Sequence, residues 1–338
     1  MRYNIQAKRC RCCIMPETPG HVELDETGVC SLCRAFRQTE AQQETFEQFS
    51  PEKKLAILQK KVDRYKNKGE YDCVVAVSGG KDSIMTLYIA VRTLGLKPLA
   101  VFIDNGFALE EMYQNVRNAT DILGADLLIY KTADMLRLFP RLLRSGRRLY
   151  YCRICHALLD RAVLSICQKY GIGLSLGGYT KGQQYLRNSE LFWIYDESDR
   201  NICELLDGDP DFGHLLPMYQ NQQRYFTEHF GRIRQISPFK YVEWNEDEIL
   251  ALITRELKWQ KPKRSWPDKS SNCAFNYVAQ YLAEKQFGYA QHESELSVQV
   301  RSGELTRARA EEIIESPIEE SDLVSALQKL GLTLNDIL

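Results

Sequence analysis

The chain has 338 residues, enough for one large or two modest domains, and its 44 lysines and arginines against 45 aspartates and glutamates leave a net charge of −1. Hydrophobic residues make up 44% and charged residues 26%, which excludes a disordered or fibrous protein. The longest apolar runs, residues 73–77 and 99–103, are too short to cross a bilayer, and the near-neutral charge disfavours a strongly electrostatic nucleic-acid binder.

Eleven cysteines are the unusual feature of the composition. Their number is odd, and the first ten residues contain no apolar segment typical of a secretory signal. Both observations disfavour a disulfide framework and favour metal or redox chemistry in a reducing compartment. We therefore expect a cytoplasmic protein with no membrane association.

The first element in chain order is a pair of C-x2-C knuckles, Cys10 with Cys13 and Cys30 with Cys33. Each knuckle brings two thiolates to one ion, and the loop between them folds back to present the second pair. Because a segment of about 40 residues has too small a core to fold alone, metal binding would contribute its folding energy. The pattern predicts a structural zinc site within residues 1–37, although the spacing leaves iron open; Cys12 is a spare thiol.

The middle of the chain alternates between strand and helix patterns. Residues 38–70 are rich in Gln, Glu and Lys with apolar residues at helical spacing, which predicts a helical connector. Strands are predicted at 73–77, 98–103, 127–130, 172–176 and 234–236, and helices at 83–94, 109–123, 134–144, 155–170 and 246–257. This alternation predicts an α/β domain with a parallel, doubly wound sheet over residues 71–260. Residues 261–338 are expected to be a helical C-terminal region.

A glycine-rich hexapeptide follows the first predicted strand and opens a helix: Ser78-Gly79-Gly80-Lys81-Asp82-Ser83. Adjacent glycines let the backbone approach a phosphate, and the helix N-terminus behind them offers unpaired N–H groups. The two hydroxyls and the lysine add donors and a point charge. Because the spacing fits neither a Walker A loop nor a dinucleotide fingerprint, the sequence predicts a phosphate loop of another kind.

In its strand–helix setting, the hexapeptide resembles the PP-loop signature of the N-type ATP pyrophosphatases, and the order of elements over residues 71–283 is similar as well. The resemblance implies that ATP is cleaved between its α- and β-phosphates. A substrate oxygen would attack the α-phosphate, giving an adenylated intermediate and pyrophosphate. Lys81, Asp82 and the loop backbone would hold the leaving pyrophosphate, with Mg²⁺ neutralising its charge.

Two more turns follow the carboxyl ends of predicted strands, where open α/β sheets bind ligands. Asp104 and Asn105 have two readings, as contacts to the ribose or adenine of a nucleotide and as a strand-to-helix turn. Gly177 and Gly178 would let the backbone meet the nucleotide. Many PP-loop relatives carry acidic residues just after this point, where this chain has Lys181, so the resemblance supplies no acidic metal ligand here.

A second cysteine set consists of Cys152 and Cys155, which open a predicted helix, and the distant Cys273. Residue chemistry alone leaves open a cluster, another metal or redox pair, and inert thiols. Phosphate loop, C-x2-C and distant cysteine occur in the same order in the PP-loop tRNA 2-thiouridine and 2-thiocytidine sulfurtransferases, which the chain therefore resembles. The resemblance implies that these three thiols hold a [4Fe–4S] cluster with one iron open for sulfide. Cys203 is the competing third ligand, while Cys73 and Cys167 are predicted to be core residues.

A second resemblance rests on residues 28–33, 71–74, 102–106 and 301–307, which are similar to the N-acetyl sugar amidotransferases. It implies that the adenylated oxygen is replaced by ammonia from a partner glutaminase. The two resemblances agree on ATP activation and differ in the incoming nucleophile.

The acceptor is predicted from two further segments. Six arginines between residues 137 and 153, with Tyr150 and Tyr151 among them, would seat tRNA, hold ATP phosphates or form a solvated helix face. The overall charge favours a nucleotide- or sugar-like small molecule over tRNA. Residues 184–231, too long for an ordinary loop, predict a substrate-side insertion, with structural packing as the other reading.

Together these patterns predict an ATP-dependent sulfurtransferase with ATP, Mg²⁺, Zn²⁺ and a [4Fe–4S] cluster as cofactors. The alternatives are an amidotransferase and a nucleotide-binding regulator without catalytic metals. A sulfur donor and a homodimer are compatible with the sequence.

Overall fold

The computed structural model describes residues 8–40, 46, 49–180, 192–266, 272–288 and 292–338. The strands are β1 (Cys73–Ala76), β2 (Pro98–Asp104), β3 (Asp126–Lys131), β4 (Leu174–Leu176) and β5 (Arg234–Ile236). All neighbouring strands are parallel, in the order β3-β2-β1-β4-β5. The predicted α/β class, its parallel sheet and its five strands are therefore confirmed.

The strand order changes direction at β1: β2 and β3 lie on one side of that strand, and β4 and β5 lie on the other. Val75 pairs with Ala100 of β2 and with Leu176 of β4. The central strands are continuous apolar runs since helices cover both of their faces. In such sheets the crevice outside the carboxyl ends at the reversal point binds ligands. The residues that follow β1 and β4 are therefore placed to form a site.

Helices surround the sheet, and turns and irregular segments connect them. Their bounds are α1 (Ser31–Glu40), α2 (Pro51–Val62), α3 (Lys81–Tyr88), α4 (Glu110–Leu123), α5 (Asp134–Arg144), α6 (Tyr151–Lys169), α7 (Phe192–Leu206), α8 (Leu216–Gln220), α9 (Gln222–Phe230), α10 (Glu246–Leu257), α11 (Asn276–Phe287), α12 (Glu293–Arg301), α13 (Arg307–Ile314) and α14 (Glu320–Gln328). Helix α3 begins two residues before its predicted start and continues as a π-helical turn over Ile89–Thr93. Within the described ranges, no helix has both the length and the apolar character needed to cross a membrane.

Two large apolar cores hold these layers together. One packs α2, α3, α4 and α10 against the sheet, with Leu58, Ile84 and Ile253 at its centre. The other joins α5, α6, α8, α11 and α14 through residues such as Phe139 and Leu327. Residues 192–230 contribute several side chains to this second core, namely Ile202, Leu206, Phe212, Leu215, Met218 and Tyr219. The described part of the predicted insertion thus packs into the core of the protein.

Candidate functional site

The phosphate loop, residues 78–83, is shaped by its glycines and by hydrogen bonds within the loop. Gly79 has φ +81°, and a Cβ there would lie 2.5 Å from the carbonyl oxygen of Met112, so only glycine fits. The Ser83 hydroxyl donates to the Gly80 carbonyl at 2.9 Å and accepts from the Ser78 amide at 3.0 Å. We predicted Ser83 as a phosphate donor, but its hydroxyl already holds the turn together.

The loop ends at the N-terminus of α3, and free backbone amides at a helix N-terminus are able to bind an anion. Gly80 is the N-cap residue and supplies no side-chain cap. The first amides of α3 are therefore left for a ligand or water. The Trp259 indole, which follows α10, donates to the Gly79 carbonyl at 2.9 Å and helps to hold the loop in place.

Lys81 is a buried cation surrounded by carboxylates. Its Nζ lies 3.4 Å from Asp82 Oδ2 and 3.6 Å from Glu246 Oε1. Burial by itself would lower the pKa of Lys81, but the carboxylates of Asp82, Glu246 and Glu295 outweigh it, so the pKa is raised above its ordinary value. The Trp244 indole donates to Asp82 Oδ1 at 2.7 Å and orients that carboxylate. Lys81 therefore remains charged and fixed beside the loop.

A cavity adjoins this cation and is closed by distant parts of the chain. It is lined by Lys81, Asp82, Glu246, His292, Glu295 and Gln299, among others. The last three come from the start and the first two turns of α12, more than 200 residues after the phosphate loop. Sequence reasoning missed His292, Glu295 and the indole of Trp244, because no local motif indicates that these segments meet at Lys81.

In the turns after β2 and β4, the residues that were predicted to contact a nucleotide determine the shape of the backbone. Asp104 Oδ1 accepts from the Gly106 amide at 2.9 Å, and Asn105 Oδ1 accepts from the Phe107 amide at 3.0 Å. A Cβ on Gly178 would lie 2.8 Å from the Asp82 carbonyl carbon, so this glycine lets the β4 turn pack against the start of α3. Gly177 precedes it and faces the Tyr179 ring. Lys181 lies outside the described residues.

Cys152, Cys155 and Cys273 lie in one region next to these turns. The Asn105 side-chain amide contacts Cys155 Sγ at 3.6 Å, and Cys152 Sγ contacts Asn276 Oδ1 at 3.7 Å. Cys273 is close enough to Cys155 to raise its pKa, and all three side chains pack against the same core. The competing Cys203 lies on α7, where burial and the nearby Asp199 raise its pKa to about 11.

The sulfur atoms of Cys152, Cys155 and Cys273 are less closely grouped than those of the N-terminal cysteines. They do not gather within 4.8 Å of one another as the N-terminal cysteines do. A cluster spreads its ligands over several iron atoms and so accepts wider spacing than one ion. Burial raises the pKa of Cys155, and that of Cys273 to about 11, so both are neutral thiols at neutral pH.

The structure brings the N-terminal cysteines together in a tight group. The sulfur atoms of Cys10, Cys13, Cys30 and Cys33 all lie within 4.8 Å of one another and are buried. Hydrogen bonds from the thiols of Cys30 and Cys33 hold the pKa of Cys13 well below its usual value. Four thiols at such spacing suit one tetrahedral ion, zinc or iron. Cys12 lies outside the set and accepts a hydrogen bond from Arg37 at 2.9 Å.

The arginine run is paired with carboxylates and does not form a free basic patch. The pairs are Arg137 and Arg141 with Asp211, Arg144 with Asp336, Arg147 with Glu204, Arg148 with Glu197, and Arg153 with Asp199. Tyr150 and Tyr151 are buried at 5% and 3% exposure, so their rings cannot stack on a base. Of the three interpretations of this segment, the ion pairs favour a helix surface whose charges are balanced by nearby carboxylates.

Comparison with known proteins gives one family match. Residues 72–256, just over half of the chain, match the phosphoadenosine phosphosulfate reductase domain family. An uncharacterized protein of Methanocaldococcus jannaschii is 25% identical over 269 residues, which cover 80% of this chain and 81% of that protein. The family match includes the phosphate loop and the whole sheet, and it leaves the N-terminal cysteines and helices α11 to α14 outside.

Three solved structures are similar in outline. The U34-tRNA thiolase NcsA from Methanococcus maripaludis, with its [4Fe-4S] cluster, has 16% identity and a TM-score of 0.40 over 93% of this chain and 90% of that one. NMN synthetase from Francisella tularensis has 16% identity and a TM-score of 0.41 over 84% and 98%. NH3-dependent NAD synthetase from Campylobacter jejuni has 12% identity and a TM-score of 0.33 over 62% and 92%.

Proposed function

Because the chain belongs to the phosphoadenosine phosphosulfate reductase domain family of the PP-loop superfamily, we propose that it is an ATP-dependent sulfurtransferase. Its acceptor oxygen attacks the α-phosphate of ATP, the bond to the β-phosphate breaks, and pyrophosphate leaves with the electron pair. Sulfide then attacks the adenylated carbon, and the C–O bond breaks so that AMP leaves with the acceptor oxygen and the electron pair. The acceptor is a nucleotide- or sugar-like molecule.

The observation that carries this proposal is the position of the second cysteine set beside the phosphate loop. A Cβ on Gly80 would lie 3.5 Å from the side-chain amide of Asn272, the residue before Cys273. On the other side, Asn105 follows β2 and contacts Cys155. Thiols in this position would face a nucleotide bound by the phosphate loop.

The roles of the remaining residues follow from their charges. Lys81 and the first amides of α3 bind the phosphates, and Asp82 and Glu246 are the carboxylates placed to hold Mg²⁺, which prefers oxygen ligands and neutralises the leaving group. Cys152, Cys155 and Cys273 would hold a [4Fe–4S] cluster, which would carry sulfide from a sulfur donor to the acceptor. Zinc at the N-terminal cysteines has a structural role.

Anaerobic purification followed by iron, sulfide and zinc analysis tests this proposal. We expect wild-type protein to contain iron and acid-labile sulfide in equal amounts. Cys155→Ala and Cys273→Ala should lose most of both, while Cys167→Ala, which removes a buried thiol from another core, should retain them. Reconstituted wild-type protein that binds zinc but no iron would refute the proposal.

An amidotransferase is the second candidate, because residues 28–33, 71–74, 102–106 and 301–307 resemble the N-acetyl sugar amidotransferases. Without a cluster, Cys155 and Cys273 are neutral groups with no role in sulfur transfer. Ammonia from a glutaminase would then be the nucleophile. AMP release in the presence of a candidate acceptor, measured with ammonium and with sulfide as the added nucleophile, distinguishes the two reactions, because AMP leaves only when the nucleophile replaces the oxygen. Stimulation by ammonium alone supports amidation.

A further inference from the structure

The turn after β4, residues 177–180, packs directly against the first turn of α3. A Cβ on Gly178 would lie 2.8 Å from the Ser83 amide nitrogen and 2.8 Å from the Asp82 carbonyl carbon. Both of these residues belong to the start of α3, whose backbone amides are able to bind an anion. The position of the turn therefore affects how a nucleotide approaches the phosphate loop.

Hydrogen bonds to two neighbouring elements hold the turn in this position. The Gly177 amide donates to the Ile236 carbonyl of β5 at 3.1 Å, and the Ser237 hydroxyl donates to the Tyr179 carbonyl at 2.5 Å. The Tyr179 hydroxyl donates to Asp160 Oδ1, on α6, at 3.0 Å. The turn is thus tied to the end of β5 through its backbone and to α6 through the side chain of Tyr179.

Asp160 is well suited to hold the Tyr179 hydroxyl. Burial raises the pKa of Asp160 to about 6, and the hydrogen bond from Tyr179 opposes that rise. The carboxylate is therefore mostly ionised at neutral pH, and a hydrogen bond to an ionised acceptor is stronger than one between neutral groups. The Tyr179 ring also packs on Gly177, where a Cβ would lie 3.1 Å from it. Fixing this ring therefore restricts the backbone of the glycines before it.

Asp160 lies on the helix that carries two residues of the second cysteine set. It follows Cys155 along α6 and is close enough to help raise the pKa of that thiol. No motif distinguishes Asp160 in the sequence, and the proposed function assigns it no role. Through Tyr179, this carboxylate connects the helix that begins at the cysteines to the turn beside the phosphate loop.

We propose that Asp160 is a positioning residue of the nucleotide site. By accepting the Tyr179 hydroxyl, it holds the turn after β4 against the start of α3, where Mg·ATP binds. The inference rests on the proposed function only for nucleotide binding, and it holds for sulfide and for ammonia as the incoming nucleophile. It gives α6 a role in ATP binding in addition to that of its cysteines.

Calorimetric titration with Mg·ATP tests this role without an acceptor. Tyr179→Phe and Asp160→Ala each remove the hydrogen bond and should weaken binding about fivefold or more. Asp160→Asn keeps an oxygen that accepts from Tyr179 and should recover most of the affinity that the alanine variant loses. Because the two residues act through one hydrogen bond, the double variant should bind no more weakly than the weaker single variant. Tyr170→Phe, at an exposed position directly after α6, is the matched control and should bind like wild type.

Thermal unfolding of the same variants shows that each is folded at the titration temperature, and Tyr179→Phe removes one hydroxyl while it keeps the ring. Wild-type affinity in both Tyr179→Phe and Asp160→Ala would overturn the proposal, and so would a double variant that loses the product of the two single effects. An asparagine variant as weak as the alanine variant would also overturn it. A wild-type protein that binds no Mg·ATP would refute the proposed function as well, whereas the other outcomes leave that function standing.

Discussion

The buried ion pair between Arg153 and Asp199 leads to a sharp prediction about stability. The guanidinium donates to the carboxylate twice, Nε to Oδ1 at 3.0 Å and Nη2 to Oδ2 at 2.7 Å. Both side chains are almost fully buried, at 2% and 6% exposure. The pair joins α6, which carries Cys152 and Cys155, to α7. Asp199→Asn keeps the volume of the side chain but leaves a buried positive charge without its counter-charge.

The expected cost follows from the burial of the pair. Breaking a buried ion pair by removing one partner typically costs about 3–5 kcal/mol, because arginine cannot lose its proton to escape burial. For a chain of this size that corresponds to a fall in Tm of roughly 4–7 °C. The exposed pair Arg224–Glu228, with side chains 74% and 54% exposed, is the matched control. Glu228→Gln should change stability by no more than about 0.5 kcal/mol.

Thermal and urea unfolding of the two single variants checks these values. A third variant, Arg153→Met with Asp199→Leu, removes both charges and should be more stable than Asp199→Asn, because no unpaired charge remains. If Asp199→Asn is as mild as Glu228→Gln, the pair does not experience the low-dielectric interior that its burial implies, and the reasoning fails.

Three other predictions concern the candidate site and the metal centre. Gly178→Ala places a Cβ 2.8 Å from backbone atoms at the start of α3 and should weaken Mg·ATP binding, measured by calorimetry, at least about tenfold. In the control Gly69→Ala, the new Cβ has no atom nearer than 3.9 Å, so this variant should bind Mg·ATP like wild type. Equal affinities of the two variants would contradict the close approach at Gly178. Burial raises the pKa of Asp160 from 3.8 to about 6, so the folded state binds this proton more tightly than the unfolded state does. As the pH rises from about 4 to 6, the free energy of unfolding of the wild-type protein should therefore fall by at most about 3 kcal/mol. Asp160→Asn removes that fall, and a pH-independent difference between the two unfolding free energies would count against it. Cys13→Ser should abolish metal binding by the N-terminal cysteines, whereas Cys12→Ser, outside the set, should retain the metal; equal metal loss in both would show that the set is wrongly assigned.

The amino-acid sequence determined the features that depend on short stretches of chain. The five strands and the phosphate loop were predictable because apolar runs, adjacent glycines and a following helix are local patterns. The N-terminal cysteine group was predictable for the same reason, since two C-x2-C knuckles within 24 residues meet around one ion in few ways. These patterns define the fold class and one half of the phosphate site.

The tertiary structure decided which distant residues meet. Glu246 and His292 line the cavity beside Lys81 from segments far along the chain, and each arginine of the basic run forms an ion pair with a carboxylate on another element. No spacing rule connects these residues, because their contacts depend on how the C-terminal helices pack against the sheet domain and the knuckle. The fold also decides what some of the predicted site residues do. The Ser83 hydroxyl, predicted to donate to a phosphate, donates to the Gly80 carbonyl within its own turn. Tyr150 and Tyr151, predicted to stack on a base, are buried in the core.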